Sequence, residues 1–465
     1  MSLRMIALAL MTAWGCRASI PPPRRPLVAT ATEGRPERPG LREVNPPRFP
    51  RVSARRRSGG TLWYVSDPTR EGVEIAVHTR RGEDGAHPLG LVSLTTEVLG
   101  RGLSEVLGPG RVSTKAYGHG AVIQMRVPTR ELDRSLAALA AALDGPPPHR
   151  RLVDDERILM LQSIEQSAHE PRRSSRAAAM DQILGRPSNL REGVRHWRTR
   201  VETFDRARVD ACRRERFAPA DRLIVVTGAF EVRALRDSFE THFAADRPSP
   251  ARLPAERIQP RAPAHGALSR PMRSARAHVV YAQPAPPPAD PDRMTFALVV
   301  DLLGGTFGSR LNGSLRETHS YTYGVHAHVV SVPQVDLLFV EASFDPVDVE
   351  GAVRGLFDEM RSVHERPFSA EEIAAARTRL WAQSQAAIEG DDLGAMLGAA
   401  WTAELTPTEL EGRLAALAEV TPEDVQRVAR VHLPLDAGVM VITGDFDAIG
   451  GFTVVRDSSG FYLRR

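Results

Sequence analysis

Residues 302–325 read LLGGTFGSRLNGSLRETHSYTYGV. Upstream, DRMTFALVVDLLGG is apolar along its length, as a buried helix is, and Gly304-Gly305 ends it. Downstream, YTYGVHAHVV and VDLLFVEASF are rich in β-branched and aromatic residues and read as strands. Between helix and strands, Ser309-Arg310-Leu311 and Leu315-Arg316-Glu317 lead to Tyr323-Gly324, with Tyr323 seven residues beyond Arg316. Two helices follow, VEGAVRGLFDEM and AEEIAAARTRLWAQSQAAI, then a helix in VTPEDVQRVARVHL and the apolar strand VMVITG. Strands and helices mix without strict alternation, which predicts an α+β fold rather than a parallel doubly wound sheet.

The same order is legible further up the chain. LWYVSD, VEIAVHTRR and VSTKAYGHGAVIQMRV read as strands, and a helix is expected from Leu89 to Leu99. ELDRSLAALAAAL, Asp154–Ala168, Ser174–Leu184 and FEVRALRDSFETHF read as helices, with LIVVTG as a buried strand. FAPADRLIVVTGAF from Phe217 aligns without a gap on LPLDAGVMVITGDF from Leu433, an offset of 216 residues. Tyr117-Gly118 and Tyr323-Gly324 are read as lying in matching strands at an offset of 206. A repeat this long is no solenoid, whose periods run from about 20 to 50 residues. It predicts two related domains, at 61–246 and 276–450, joined by a Pro/Arg-rich linker at 247–275 and followed by a tail at 451–465.

The Gly-Gly turn, the Ser-Arg-Leu and Leu-Arg-Glu steps and the Tyr-Gly of residues 302–325 resemble the C-terminal domain of insulinase/pitrilysin metallopeptidases. The resemblance extends over roughly residues 60–450. It implies two domains, each a mostly antiparallel sheet packed with helices, facing one another as a clamshell. In that family the second domain supplies an Arg and a Tyr that hold the substrate backbone, and the matching residues are Arg316 and Tyr323. A guanidinium fork suits peptide carbonyls and a phenol suits a developing oxyanion. The first domain of an active member carries H-x-x-E-H on a helix, both His binding zinc and the Glu acting as base. HPLGLVSLTTEVLGRGL, residues 87–103, fits the flanking frame through Gly90 and Gly102. The metal-motif positions fall on Ser93, Thr96 and Glu97. The family's third ligand, a downstream Glu, falls on Gln162 and Ser163 in ERILMLQSIEQSAHEP, with Glu165 out of register. Zinc needs about three N, O or S ligands plus an open position. The frame therefore predicts a chain that holds no metal or other cofactor and cuts nothing alone.

The family includes two-chain enzymes, such as the mitochondrial processing peptidase and bacterial two-subunit relatives, in which one chain bears H-x-x-E-H and the other the Arg/Tyr pair. The resemblance thus implies a non-catalytic subunit of a heterodimer. It would bind unfolded peptide and complete the site of a zinc-bearing insulinase-family partner. The alternative is a non-enzymatic scaffold or peptide-binding protein on the same fold.

The remaining features bound that reading. At 42% hydrophobic and 25% charged, the 465 residues have ordinary globular composition. The formal net charge is only +4, and the densest basic run, Arg51–Arg57, lies in a Pro-rich segment and not on a folded face, which argues against nucleic-acid binding. Cys16 and Cys212 are too few for a disulfide framework. MSLRMIALALMTAWGC has the basic start and short apolar run of a signal segment ending at Cys16, a candidate lipidation site. Residues 17–60 then read as a Pro/Arg-rich flexible tether. Export to the periplasm on a lipid anchor is expected, with no membrane contact otherwise. His326 and His328 fall on one strand face near His319, but no acid or Cys completes a metal site. His119 reads as a turn residue and Cys212 as a buried helix residue. Ser309 and Ser314 lie in no nucleophile elbow.

Overall fold

The structure, a computed structural model, describes residues 45–57, 59–80, 90–117, 120–184, 193–243, 267–332, 335–445, 453–457 and 460–464. The signal segment, Cys16, most of the tether, His119 and most of the linker lie outside the described residues. Residues 43–465 form one compact unit.

Two sheets with one topology organise that unit. The first contains β1 (Ser53–Arg57), β2 (Gly60–Ser66), β3 (Val73–Thr79), β4 (Val112–Tyr117), β5 (Gly120–Val127) and β6 (Arg222–Gly228) in the order β1-β2-β6-β3-β5-β4. The second contains β7 (Ala267–Pro271), β8 (Ala277–Ala285), β9 (Val325–Val332), β10 (Val335–Phe344) and β11 (Val439–Gly444) in the order β7-β11-β8-β10-β9. Only β2/β6 and β7/β11 pair in parallel; the other neighbours are antiparallel. Apart from the additional β1, the two sheets repeat strand for strand, so the aligned segments LIVVTG and VMVITG occupy equivalent places in β6 and β11. Both are buried throughout, as strands covered on both faces must be.

The helices repeat too. α1 (Leu91–Leu107), α2 (Leu132–Asp144), α3 (Arg150–Ala168), α4 (Pro171–Leu184), α5 (Gly193–Glu202), α6 (Arg206–Arg216) and α7 (Val232–His242) belong to the first half. In the second half α8 (Arg293–Val300) runs on through a π-helical turn at Asp301–Gly305. A single turn, α9 (Arg310–Asn312), and a second π-helical stretch, Gly313–Thr318, follow. Then come α10 (Val349–Glu365), α11 (Ala370–Glu389), α12 (Leu393–Thr402), α13 (Pro407–Ala416) and α14 (Pro422–His432). Reciprocal capping boxes open α11 (Ser369/Glu372), α13 (Thr406/Glu409) and α14 (Thr421/Asp424).

Each sheet buries one face under helices of its own half and the other under a helix from the opposite half. Ala178, Ala179 and Ile183 of α4 pack on Val280, Phe339 and Val441 of the second sheet. Leu393, Leu397 and Trp401 of α12 pack on Trp63, Ala76 and Val225 of the first. Contact is close because α12 presents Gly394 and Gly398; a Cβ at either would overlap the side chain of Glu74 or His78 on β3.

Several sequence boundaries move. The tether ends earlier than residue 60: Phe49 and Val52 pack beside Trp63, and β1 pairs with β2. The Arg run of 55–57 is therefore an edge strand, where charged side chains discourage pairing with another chain. The linker ends before Ala267, because β7 pairs with β11; Pro271 is tolerated at the end of this edge strand. The tail is a hairpin of β12 (Thr453–Asp457) and β13 (Gly460–Arg464), with Leu463 buried in the second core. Tyr117 and Tyr323 do not correspond: Tyr117 ends β4 at its hairpin, whereas Tyr323 precedes β9 at the opposite end of the equivalent strand.

Candidate functional site

The degenerate metal motif lies on α1, which extends eight residues beyond the expected end at Leu99. Thr96 is buried, and its hydroxyl donates to the Val92 carbonyl at 2.7 Å; Thr95 does the same to Leu91. Ser93 is half-buried. Glu97 is exposed and accepts from Thr114 Oγ1 on β4 at 2.6 Å. The acid that faces it from α3 is Glu156, which sequence reasoning missed. Burial first, then the charge of Glu97, pushes the Glu156 carboxyl up, and Arg101 stands 4.0 Å away. Gln162 and Ser163 are exposed, and Glu165 pairs with Arg198 at 2.6 Å. The signal for Glu156 was its place two helical turns before Ser163, which only the packing of α3 on α1 turns into proximity.

Zinc does not fit this arrangement. Among the described residues two carboxylates face one another without an imidazole, and the Thr96 hydroxyl already donates to its own helix. Among the described residues, one trio has metal-ligand spacing: Asp290, Asp292 and His432, in the second half. There Arg427 forks onto Asp292 at 2.8 and 2.9 Å, and its guanidinium already neutralises the carboxylate a cation would need.

Tyr323 lines a cleft, and Arg316 stacks on Phe307, another residue of its lining. Arg316 leaves the second π-helical stretch and lies over the Phe307 ring, 4.6 Å from its centroid. Tyr323 is 84% exposed, and the Arg276 guanidinium lies 5.0 Å from its ring centre. Phe307, itself exposed, and Tyr323 line a cleft of about 410 Å³ with Arg276, Arg172, His278 and Glu341. Asn312 positions both rims. Its buried side-chain amide donates to Thr306 and Val325 carbonyls at 2.8 and 2.9 Å, and its oxygen accepts from the Val325 amide at 2.9 Å. Thr322 Oγ1 donates to Ser343 O at 2.9 Å and ties the segment before β9 to β10.

Glu341 forms the charged floor. It accepts from Arg172 and Arg176, and the two guanidiniums hold its carboxyl down at about 2 against the opposing effect of burial. His328 stacks on Phe339, and burial lowers its pKa; His326 lines the cleft, and His319 stacks on Tyr321 instead. The three histidines do not converge, so they form no metal site. His278 accompanies Ser343, Nδ1 to Oγ 2.6 Å, with its pKa lowered by burial and then Arg172. Cys212 is fully buried in α6. No described helix is long and apolar enough to cross a membrane.

Residues 203–380 match the Peptidase M16 inactive domain. Over those residues the chain is similar to an M16 peptidase domain of the inactive type. This is the insulinase-type family expected from the 302–325 motif. An uncharacterised zinc protease of Streptomyces coelicolor is 26% identical over 328 residues, covering 66% of this chain and 68% of that one. A crystal structure titled peptidase M16 inactive domain, from Pseudomonas fluorescens, superposes with a TM-score of 0.75 at 20% identity, over 85% of this chain and 98% of that one. The first half of the periplasmic protease PqqL from Escherichia coli gives 0.66 at 14% identity, over 87% and 94%. At these identities the structural likeness establishes the fold: two mixed α+β halves with mostly antiparallel sheets.

Proposed function

We propose that this M16-type chain is a non-catalytic, peptide-binding subunit that completes the active site of a zinc-bearing H-x-x-E-H partner. The observation that carries the reading is the asymmetry between its two halves. On α1 the metal positions hold Ser93, a self-satisfied Thr96 and Glu97, whereas the opposite half has Tyr323 lining an open cleft and Arg316 stacked on Phe307 of the same lining. Phe307 under Arg316 and Arg276 against Tyr323 hold those groups in place with cation–π contacts, which suits them to an extended peptide backbone. Donors held in place before the substrate arrives are those that stabilise a developing oxyanion. The partner would supply the metal and the attacking water. Export with a lipid anchor at Cys16 belongs to the same proposal; for the periplasmic location alone, a structural neighbour is the periplasmic protease PqqL.

Metal analysis of the purified chain is expected to find no stoichiometric zinc. Mixing it with a companion M16 chain that carries H-x-x-E-H should raise peptide cleavage by that chain. Arg316→Ala should then lower the rate by about 10²-fold, the scale for removing one transition-state donor, while co-elution of the two chains persists. An unchanged rate would sink the substrate-contact role and leave a scaffold on the same fold as the better reading.

A further inference from the structure

A second cleft, of about 950 Å³, opens at the end of the first sheet where β3 begins and β5 and β6 end, against residues 389–391 of the α11–α12 connection. Its cations are already engaged. Arg70 donates to the Gly390 and Ile388 carbonyls at 2.7 and 2.6 Å and pairs with Asp67. Arg126 pairs with Asp391 at 3.3 Å, and Arg111 with Glu131 at 2.7 Å. Glu71, Glu74 and Glu389 line the cleft with no ion-pair partner among the described residues. Its wall is also short of hydrogen bonds. Glu74 is 7% exposed and Thr227 1% exposed, and Glu74 Oε2 and Thr227 Oγ1 have no hydrogen-bond partner among the described residues. A buried oxygen left without a partner costs about 1–3 kcal/mol, so a donor reaching both from the cleft would recover that cost. The carboxylates do not converge as metal ligands do; the single trio with that spacing among the described residues lies elsewhere.

We propose that this cleft binds an organic cation, the guanidinium or ammonium of a basic side chain, between Glu74, Thr227 and the rim acids Glu71 and Glu389. The site stands apart from the peptide-contact rim, because the two clefts share no lining residue. Glu74 Oε1 already accepts from Gln124 Nε2 at 2.7 Å, which leaves Oε2 for the ligand. Burial pushes the Glu74 carboxyl up to about 7; Arg126 and Arg70 oppose that shift and Asp391 adds to it, while α12 meets Glu74 with Gly394, which has no charge. A bound cation favours the carboxylate, so affinity should rise as pH increases through 7.

The test uses the full chain and a fluorescent, end-blocked peptide with one Arg among Ser and Ala residues. Its twin carries citrulline, which keeps the shape without the charge. Anisotropy titrations should show the Arg peptide binding about tenfold tighter, or 1.4 kcal/mol. Glu74→Gln keeps an acceptor for Gln124 and should abolish that preference, whereas Glu165→Gln, at an exposed acid of α3 outside both clefts, should leave it intact. Should Glu74→Gln fail to fold, the Glu71→Gln/Glu389→Gln double variant serves instead, with an expected preference of about threefold. Spermidine that displaces the Arg peptide from the wild type would extend the site to free amines. Equal affinity for the two peptides overturns the proposal, as does a preference that survives Glu74→Gln or disappears in Glu165→Gln.

Discussion

Glu341 and Glu74 are both buried glutamates, and their neighbours drive them in opposite directions. Glu341 sits between Arg172 and Arg176 and is held at about 2; Glu74 lacks such a clamp and rises to about 7. The folded-state pKa of Glu341 lies below its ordinary 4.5, so its stabilisation is complete above that value and disappears as pH falls towards 2. Glu341→Gln should lower stability at neutral pH by about 2 kcal/mol. That is below the 3–5 kcal/mol usual for breaking a buried pair, because both guanidiniums reach solvent. Urea unfolding at pH 7 and pH 3 checks this: the difference between variant and wild type should shrink at the lower pH. At this scale the sequence exposed Arg316 and Tyr323, whose spacing is local. It hid Glu156, Phe307, Arg276 and Asn312, whose importance arises from partners on other elements or across a turn.

Helix α12 was not legible at all. LGAMLGAAWT is apolar around most of its circumference, and its two glycines lower its intrinsic helicity. It exists as a helix because the first sheet offers a face to cover. Replacing Gly398 with Ala would ordinarily stabilise an exposed helix by about 1 kcal/mol. Here the added methyl overlaps the His78 ring, which is 1% exposed and has nowhere to move. Overpacking wins, and Gly398→Ala should destabilise the protein by about 1–3 kcal/mol. Adding His78→Ala should recover part of that loss by making room for the methyl. Denaturant midpoints of the single and double variants, compared with His78→Ala alone, provide the measurement. By contrast α11 and α14 were legible, because their helical patterns are local and a capping box opens each.

For the molecule as a unit, the exchange of α4 and α12 makes each half depend on the other. Without α12, the first sheet would expose Trp63, Val65, Ala76, Leu223 and Val225 together; without α4, the second would expose Val280, Leu337, Phe339 and Val441. Apolar patches of that kind drive association. Residues 45–243 and 267–465 produced separately should therefore be aggregation-prone. Co-produced as two chains, they should co-elute as one species on size exclusion. Soluble, monomeric halves would show that the exchanged helices contribute little.

Periodicity, capping and glycine-terminated helices were enough to establish an α+β chain built twice over, because each depends on residues a few positions apart. The absence of imidazoles from the metal frame was equally plain, since missing ligands need no coordinates to count. Which helix covers which sheet, the pairing of β1 and β7, the meeting of Glu97 with Glu156 and the open oxygens of Glu74 and Thr227 came only with the folded chain. Those contacts join segments from tens to hundreds of residues apart, and no local pattern encodes a partner at that distance.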